Sequence, residues 1–270
     1  MSVIQQNHND TMRIPSPIME KADQMHFALH WSDDGIVAGV FDIATKQPIW
    51  LKHQAMQPWE FSQNIREWKW NQPLFRKVSI THCAKEWTLC PQHLFDPSQL
   101  AAWLPAQAQC STEFHFIQNQ NMVLIEQFVP LAADIPMLFS NVKQNSIVDH
   151  WLHFHLSQHL GQDHLTIIVE SGLIAVILQK KGSLVLANQF AGSQPEDVLY
   201  FASAVLQQNL MSQETAITLV GRNANPALKA FFEPYFIQVN LWQPPVGLHL
   251  PKDHEACDWH SILLHTLCAS

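Results

Sequence analysis

Two short acidic turns carry the residue types that could hold a phosphate group and its magnesium ion. Asp33-Asp34-Gly35 and Glu170-Ser171-Gly172 each place a carboxylate two residues before a glycine. A carboxylate can ligate magnesium, and the backbone N–H groups of a tight glycine turn can bind phosphate oxygens. The same residues are typical of ordinary hairpin turns, for which Asp and Gly supply the backbone geometry. A nucleotide site and a purely structural role are therefore both open.

A histidine-rich segment is the second candidate for chemistry, because imidazoles three or four residues apart on a helix can share a metal ion. Its members are His150, His153, His155 and His159. At about 100° per residue, His150 and His153 project beside Asp149, whereas His155 and His159 lie on the opposite side, near Trp151. The four side chains do not converge on one point, so the sequence predicts no metal site here.

The two acidic turns belong to a longer internal repeat. Residues 35–41 and 172–178 match in character position by position, with Ala38 on Ala175 and Val40 on Ile177. The same offset of 137 positions, the distance from Gly35 to Gly172, holds over roughly sixty residues. An equal offset over that length indicates one supersecondary unit used twice.

Hydrophobic patterns predict the order β-β-β-α-β in each copy of this unit. Apolar runs separated by turn residues predict three strands, and an apolar stripe after a proline predicts the helix that follows them. In the first copy the strands are 27–31, 36–43, 48–53 and 78–82, with a helix at 59–70. In the second copy they are 165–169, 173–179, 183–188 and 216–220, with a helix that begins at Pro195.

The remaining segments predict an insertion and further elements around the repeat. Between the copies, residues 91–104 end in a helix, and a hairpin of 112–117 and 122–128 turns at 119–121. A helix at 144–160 leads into the second copy, followed later by a strand at 236–241 and a closing helix at 257–267.

Composition indicates a folded protein with a large core. The chain has 270 residues, of which 47% are hydrophobic and 14% are charged, so it can bury most of its apolar surface. The net charge is -8 and the fifteen Lys and Arg are scattered, which argues against a nucleic-acid partner. The longest uninterrupted apolar run, 173–178, is far below the roughly 20 residues that span a bilayer. We expect a soluble protein without a transmembrane segment.

The cysteines and the N-terminal segment point to the cytoplasm. The five cysteines include no close pairs of the zinc or redox type, and an odd number in a chain with its own core suggests reduced thiols. Residues 1–24 are polar, contain Pro15 and Pro17, and do not resemble a signal peptide. We expect a flexible tail at 1–24, a first lobe at 25–140 with an inserted subdomain at about 84–130, and a second lobe at 141–270.

The duplicated unit with an acid-x-Gly turn in each copy resembles the actin-like ATPase superfamily. This resemblance implies an α/β fold of two lobes, with duplicated β-β-β-α-β units and mixed sheets flanked by helices. In that superfamily the two turns face each other across a cleft and hold the phosphates of ATP. A strand ending in glycine holds the adenosine, which here corresponds to Gly221. The resemblance thus implies Asp33, Gly35, Glu170, Gly172 and Gly221 as nucleotide-binding candidates.

A closer resemblance is to DUF3822, a bacterial family of unknown function with a degenerate actin-like fold. The segment Trp87-Thr88-Leu89-Cys90-Pro91-Gln92-His93-Leu94-Phe95-Asp96 looks like the family's segment of a strand, a proline and Leu-Phe-Asp. The stretch from Phe190 to Glu196-Asp197-Val198-Leu199-Tyr200-Phe201 resembles its entry into the second-lobe helix.

Three residues depart from the pattern of the ATP-binding members. Ile36 and Leu173 follow the two glycines, where those members commonly carry Thr, Ser or Gly, and Arg222 follows Gly221 in place of a second glycine. We therefore expect a non-catalytic binding or scaffold protein with no cofactor or metal, acting on a protein partner or as a homodimer. The alternative is an ATP-binding protein, ATPase or kinase that uses Mg-ATP in the cleft between the lobes.

Overall fold

The computed structural model describes residues 14–32, 35–55, 75–82, 84–104, 110–117, 119–128, 142–251 and 254–268. The predicted helix at 59–70 and the candidate Asp33, with its neighbour Asp34, lie outside the described residues. Along the chain, the helices and strands are α1 (Ser16–Met19), β1 (Met25–Ser32), β2 (Gly35–Asp42), β3 (Pro48–Gln54), β4 (Lys77–His82), β5 (Glu86–Pro91), β6 (Ser111–Ile117), β7 (Met122–Phe128), β8 (Val142–Ser146), α2 (Ile147–Gln158), β9 (His164–Glu170), β10 (Leu173–Lys180), β11 (Ser183–Ala191), α3 (Pro195–Gln208), β12 (Ala216–Val220), α4 (Pro226–Phe232), β13 (Val239–Leu241) and α5 (His260–Leu267). Short 3-10 helices occupy Ala22–Gln24, Gln92–Leu94, Pro97–Ala102 and Ala256–Trp259.

Two five-stranded sheets share one strand order. The first is β3-β2-β1-β4-β8 and the second is β11-β10-β9-β12-β13. In each sheet the first three strands form an antiparallel meander, and the next two pair in parallel. Their central strands, β1 and β9, are buried along most of their length because both faces of the sheet are covered, as is usual for parallel pairs. The repeat read from the sequence therefore corresponds to two sheets of the same topology.

A third sheet lies between the two copies in sequence. It has the order β5-β7-β6, and both of its pairings are antiparallel. It has a small core of its own, in which Cys90, Val123 and Ile125 pack under Leu104 of the segment between β5 and β6. This sheet coincides with the predicted insertion, while the division of the chain into lobes at residue 140 stays a prediction.

Helices α2 and α5 lie between the two large sheets. Helix α2 follows directly from β8 of the first sheet and packs against β10 of the second. Helix α5 packs against β1 and β2 of the first sheet and against α2. One continuous core therefore joins Phe41 of the first sheet, Trp151 of α2, Ile262 of α5 and Ile177 of the second sheet.

Several predicted boundaries differ from the structure. The helix predicted at 144–160 begins at Ile147, because residues 142–146 form β8 and pair with β4. Ser146 ends that strand and caps the helix, since its hydroxyl accepts a hydrogen bond from the Asp149 backbone N–H at 3.1 Å. The late strand covers Val239–Leu241 only, and the closing helix begins as the 3-10 turn Ala256–Trp259.

The predicted flexible tail at 1–24 is too long. Within it, Ile14 and Ala22 are buried and belong to the core on the outer face of the first sheet. Pro15 precedes the short helix α1, and Arg76 donates a backbone hydrogen bond to the Ala22 carbonyl at 3.1 Å. Residues 14–24 therefore pack onto the fold through several apolar side chains and a backbone hydrogen bond.

Candidate functional site

Gly35 lies closely against a neighbouring strand. Gly35 pairs with Ser32 at the β1–β2 turn and has a φ of +136°. A side chain at Gly35 would overlap the Gln54 carbonyl at the end of β3, so the close approach of that backbone requires a glycine. Ile36, the next residue, is buried in the outer core of the first sheet. The space beside Gly35 is therefore filled by the protein's own backbone.

The second glycine turn is open. Gly172 has a φ of +72°, and nothing lies within 4 Å of the position that a Cβ would occupy. Its carbonyl accepts a hydrogen bond from the Gly192 backbone N–H at 3.2 Å, which ties the turn to the end of β11. Leu173 packs against the main core. Gly172 is thus explained by its backbone conformation, as in an ordinary hairpin turn.

Glu170 and Gly221 meet at the carboxyl ends of β9 and β12. Glu170 Oε1 lies 3.1 Å from the position of a Cβ at Gly221, and it accepts a hydrogen bond from the Ser261 hydroxyl at 3.4 Å. A Cβ at Gly221 would also lie 2.6 Å from the Val169 carbonyl oxygen. Two of the predicted nucleotide residues are therefore in contact, but they pack against each other and against the start of α5.

Arg222 reaches from the second sheet toward the first. Its Nη2 lies 3.4 Å from Nδ1 of His53 in the edge strand β3. The Arg222 charge also acts on Asp258, where partial burial raises the carboxyl pKa and the guanidinium opposes that shift. The Arg222 side chain thus interacts with His53 of the first sheet and with Asp258, which precedes α5.

A cavity of about 300 Å³ adjoins this arginine at the start of α4. Its lining includes Arg222, Asn225, Trp242, Glu255 and Asp258. The Asn225 side chain already accepts a hydrogen bond from the Leu228 backbone N–H at 2.9 Å, so it occupies the helix N-terminus itself. The carboxylates of Glu255 and Asp258 disfavour a phosphate group in this cavity electrostatically. The volume of the cavity is at the lower end for a small-molecule site.

The histidine-rich segment lies on α2, and its members have different surroundings. His153 is exposed, whereas His155 is buried and its Nε2 lies 3.1 Å from Nε2 of His260 in α5. His150 is also buried, with its ring 5.6 Å from that of His265. In the described part of the chain, no group of three or more His, Cys, Asp or Glu is arranged to hold a metal ion.

Sequence reasoning missed the residues that approach the candidates from distant parts of the chain. His53, Asp258 and Ser261 contact or face Arg222 and Glu170, but their spacing in sequence gives no signal of it. The segment 254–261 folds over the ends of β9 and β12 only because the closing helix packs between the sheets. Asp258 and Ser261 lie outside the internal repeat, and the position of His53 in the third strand of the first copy gives no signal of its contact with Arg222.

The described residues include no helix that is both long and apolar enough to cross a membrane. Among curated proteins, none matches the sequence at a significant level.

Solved structures with the same fold are numerous. A Bacteroides thetaiotaomicron protein with an actin-like ATPase fold and unknown function matches with a TM-score of 0.76 and 16% identity, over 93% of this chain and 98% of its own. The PilM-PilN type IV pilus biogenesis complex contains a chain that matches with a TM-score of 0.61 and 10% identity, over 90% and 98%. The ethanolamine utilization protein EutJ from Carboxydothermus hydrogenoformans has a TM-score of 0.52 and 10% identity, over 96% and 91%. At these identities the likeness shows the fold alone.

The predicted fold class is thereby confirmed as a mixed α/β, two-lobed actin-like ATPase fold. A family model described as a protein of unknown function, DUF3822, matches residues 17–232. This match covers most of the chain and agrees with the family predicted from the sequence motifs. The chain belongs to the DUF3822 family.

Proposed function

We propose that this protein is a non-catalytic binding protein of actin-like fold, which acts in the cytoplasm as a scaffold for a protein partner or for a second copy of itself. The observation that carries the proposal is the position of Arg222, which extends from the end of β12 to His53 of β3. In the fold's nucleotide-binding members, this is the side on which the base approaches the backbone. An arginine side chain at this position supports a cleft that does not take a nucleotide.

The first glycine and the acid of the second turn support the same function. Gly35 is covered by the end of β3, and Glu170 contacts Ser261 and lies over Gly221. Hydrolysis of ATP requires a metal-bound carboxylate and open backbone N–H groups at both turns. The Glu170 carboxylate already accepts a hydrogen bond from Ser261, so it is poorly placed to bind a metal ion. Gly35 is covered by the β3 backbone, so it is poorly placed to bind phosphate.

A protein partner is favoured because a chain of similar fold occurs in a protein complex. One chain of similar fold is part of a complex named for PilM and PilN, so the fold can serve in a protein assembly. The identity of 10% carries no partner over to this chain. The proposed partner is therefore a protein of unspecified identity. A nucleic-acid partner is disfavoured because the positive charges are scattered along the chain.

The experiment is a thermal unfolding series with and without 5 mM Mg-ATP, on the wild type and on Arg222→Ala. A ligand present at 100 times its dissociation constant raises the free energy of unfolding by about 2.7 kcal/mol, which shifts the melting temperature by a few degrees. We expect no shift for the wild type. Mg-ADP and Mg²⁺ alone are the matched controls.

Two outcomes contradict the proposal. A melting-temperature increase of several degrees with Mg-ATP in the wild type would show an occupied cleft. Phosphate release from ATP that disappears in Glu170→Ala would show an enzyme. Light scattering after size-exclusion chromatography then distinguishes a monomer from a homodimer as the scaffold unit.

A further inference from the structure

Histidines are concentrated where α2 and α5 meet the two large sheets. We call this contact region the joint. Its buried histidines come from β1, α2, β9 and α5, and each is at most 8% exposed: His26, His30, His150, His155, His164, His260 and His265. Histidine is the side chain that changes charge between pH 5 and 8. A joint with this composition therefore depends on the imidazoles being neutral.

The first part of the joint is a continuous chain of hydrogen bonds. His26 Nε2 lies 2.7 Å from Ser79 Oγ, which lies 2.6 Å from His265 Nδ1. His265 Nε2 lies 2.8 Å from Thr81 Oγ1, which lies 2.9 Å from His30 Nδ1. A neutral imidazole has one donor and one acceptor, and a hydroxyl donates once. The five groups can therefore satisfy one another in sequence without any of them carrying a charge.

The second part of the joint is a pair of histidines. Nε2 of His155 lies 3.1 Å from Nε2 of His260, and both rings are buried. One Nε2 must donate and the other must accept, which requires at least one neutral ring. If both rings were protonated, two N–H donors and two positive charges would face each other at this distance.

The two sheets contribute equivalent histidines. His26 in β1 is opposite Lys77, and it bonds to the hydroxyl two residues further along β4. His164 in β9 is opposite Ala216, and its Nε2 lies 3.0 Å from the hydroxyl of Thr218, again two residues further along β12. Each pair is covered by a histidine close to a joint helix: His265 of α5 bonds to Ser79, and His159, the residue after α2, stacks on His164 at 3.4 Å.

The charged and titratable groups that face these rings do not neutralise added protons. His265 is faced by His26, His30 and Lys77 from the first sheet and by His150 from α2. His155 is faced by His260, His159 and His164. Two carboxylates act at the joint helices: Asp149 of α2, which acts on Cys268, and Glu170, which accepts a hydrogen bond from Ser261 at the start of α5. Neither His265 nor His155 therefore has a carboxylate among the groups that face it.

Burial accordingly opposes protonation of five of the joint histidines. It lowers the pKa of His26, His164 and His260 to about 3, and it lowers the pKa of His155 and His265 well below the ordinary value. Water-exposed imidazoles bind protons below about pH 6.5. Acid therefore favours any state in which the joint is open to water over the closed state.

We propose that the joint is an acid-responsive switch: α2 and α5 hold the two large sheets together while the histidines are neutral, and the joint opens on acidification while each sheet keeps its fold. Each histidine that gains a proton on opening multiplies the opening equilibrium constant by about 10 per pH unit. For five such histidines the opening constant rises by about 10⁵ per pH unit below pH 6. The response is steep because the groups act together.

The experiment is hydrogen exchange with mass spectrometry on the full chain between pH 7.5 and 4.5, with protection factors corrected for the intrinsic rate at each pH. We expect segments 147–158 and 260–267 to lose protection as the pH falls below 6, while β2 and β10 stay protected. The slope of the logarithm of the opening constant against pH gives the number of protons taken up. We expect a slope of about five.

The deciding variant is His155→Leu combined with His260→Leu, which removes two titrating groups and leaves an apolar contact. A structural change alone would move the opening constant at every pH, but only the loss of titration lowers the slope, here by about two. The matched control is His153→Leu combined with His249→Leu, since both residues are exposed. Its slope should equal that of the wild type.

Several results overturn the proposal. It fails if the two helical segments stay protected at pH 5, if β2 and β10 lose protection at the same pH as the helices, or if the deciding variant keeps the wild-type slope. Should that variant not fold at pH 7.5, His260→Phe replaces it, because this residue already packs beside Phe154 and Trp242. Its slope should be lower than the wild-type slope by about one.

Discussion

The Arg222 guanidinium lies 3.4 Å from the imidazole of His53, and this contact joins the loop after β12 to the edge strand of the other sheet. Both side chains are half-buried. The contact is therefore only partly shielded from water. Its contribution to stability should be small, because partly exposed polar contacts gain little over hydration.

We expect a coupling energy below about 1 kcal/mol between His53 and Arg222. The measurement is a double-mutant cycle with His53→Ala and Arg222→Ala, in which urea unfolding gives each free energy. The exposed pair Lys229 and Glu233, whose charged atoms are 3.0 Å apart, provides the comparison cycle. A coupling of 3 kcal/mol or more would mean that the contact holds the two sheets together, contrary to this prediction.

Gly221→Ala and Gly172→Ala should differ in their cost although both glycines have positive φ angles. At Gly221 a Cβ would lie 2.6 Å from the Val169 carbonyl oxygen, whereas at Gly172 it would meet nothing within 4 Å. We expect Gly172→Ala to lower the free energy of unfolding by about 1 kcal/mol, from backbone strain alone. Gly221→Ala should cost about 3 kcal/mol or more, because the overlap adds to that strain. Equal costs in chemical denaturation would contradict the close packing of β9 and β12.

Glu126→Gln should be costly, and more so at pH 6 than at pH 9. Burial alone would raise the pKa of Glu126, but hydrogen bonds from His115 and Ser146, together with the His82 ring 3.6 Å away, lower it to about 2. The bond to Glu126 raises the pKa of His115 in turn. A raised histidine pKa adds stability that is complete below about pH 6.5 and is lost as the pH rises through the folded-state pKa. We expect a loss of about 3 kcal/mol at pH 6.

The control for this prediction is His115→Gln, which keeps a hydrogen-bond donor but cannot carry a charge. In this background, the cost of Glu126→Gln should no longer change between pH 6 and pH 9. Urea unfolding at the two pH values measures all four free energies. A cost that stays pH-dependent without His115 would show that another group supplies the charge.

The free energy of unfolding of the whole protein should fall as the pH decreases below 6.5. The pKa values of His26, His164 and His260 are lowered to about 3 by burial, so these groups are neutral in the folded protein and protonated after unfolding. A lowered folded-state pKa gives stability that is present above pH 6.5 and is lost as the pH falls toward 3. Each such histidine contributes about 1.4 kcal/mol per pH unit.

Urea unfolding at pH 7.5, 6.5 and 5.5 tests this. We expect little change between the first two values and a clear loss at the third. His164→Phe should reduce the loss between pH 6.5 and 5.5, whereas the exposed His93→Gln should not. Equal stability at pH 7.5 and 5.5 would contradict the burial of neutral imidazoles.

Much of the sheet architecture could be predicted from the sequence, because the information is local. Alternating and continuous apolar runs between turn residues mark β1, β2, β9 and β10, and the offset from Gly35 to Gly172 marks their duplication. Element ends were predicted less well where a residue serves two elements. Ser146 is the last residue of β8 and the cap of α2, and apolar periodicity alone cannot show where the strand pairing stops.

The sequence by itself determined the duplicated strand order, the insertion and the family, since repeated apolar patterns and motifs are properties of the chain as written. Only the tertiary structure decided which polar residues are buried together. Angular spacing placed His150 and His153 on the same side of α2, yet His150 is buried beneath α5 and His153 is exposed. The reason is that helical periodicity predicts the direction in which a side chain projects, whereas its burial depends on which element packs against that side of the helix. For α2 that element is more than a hundred residues away in the chain, where His265 and His260 complete the contacts.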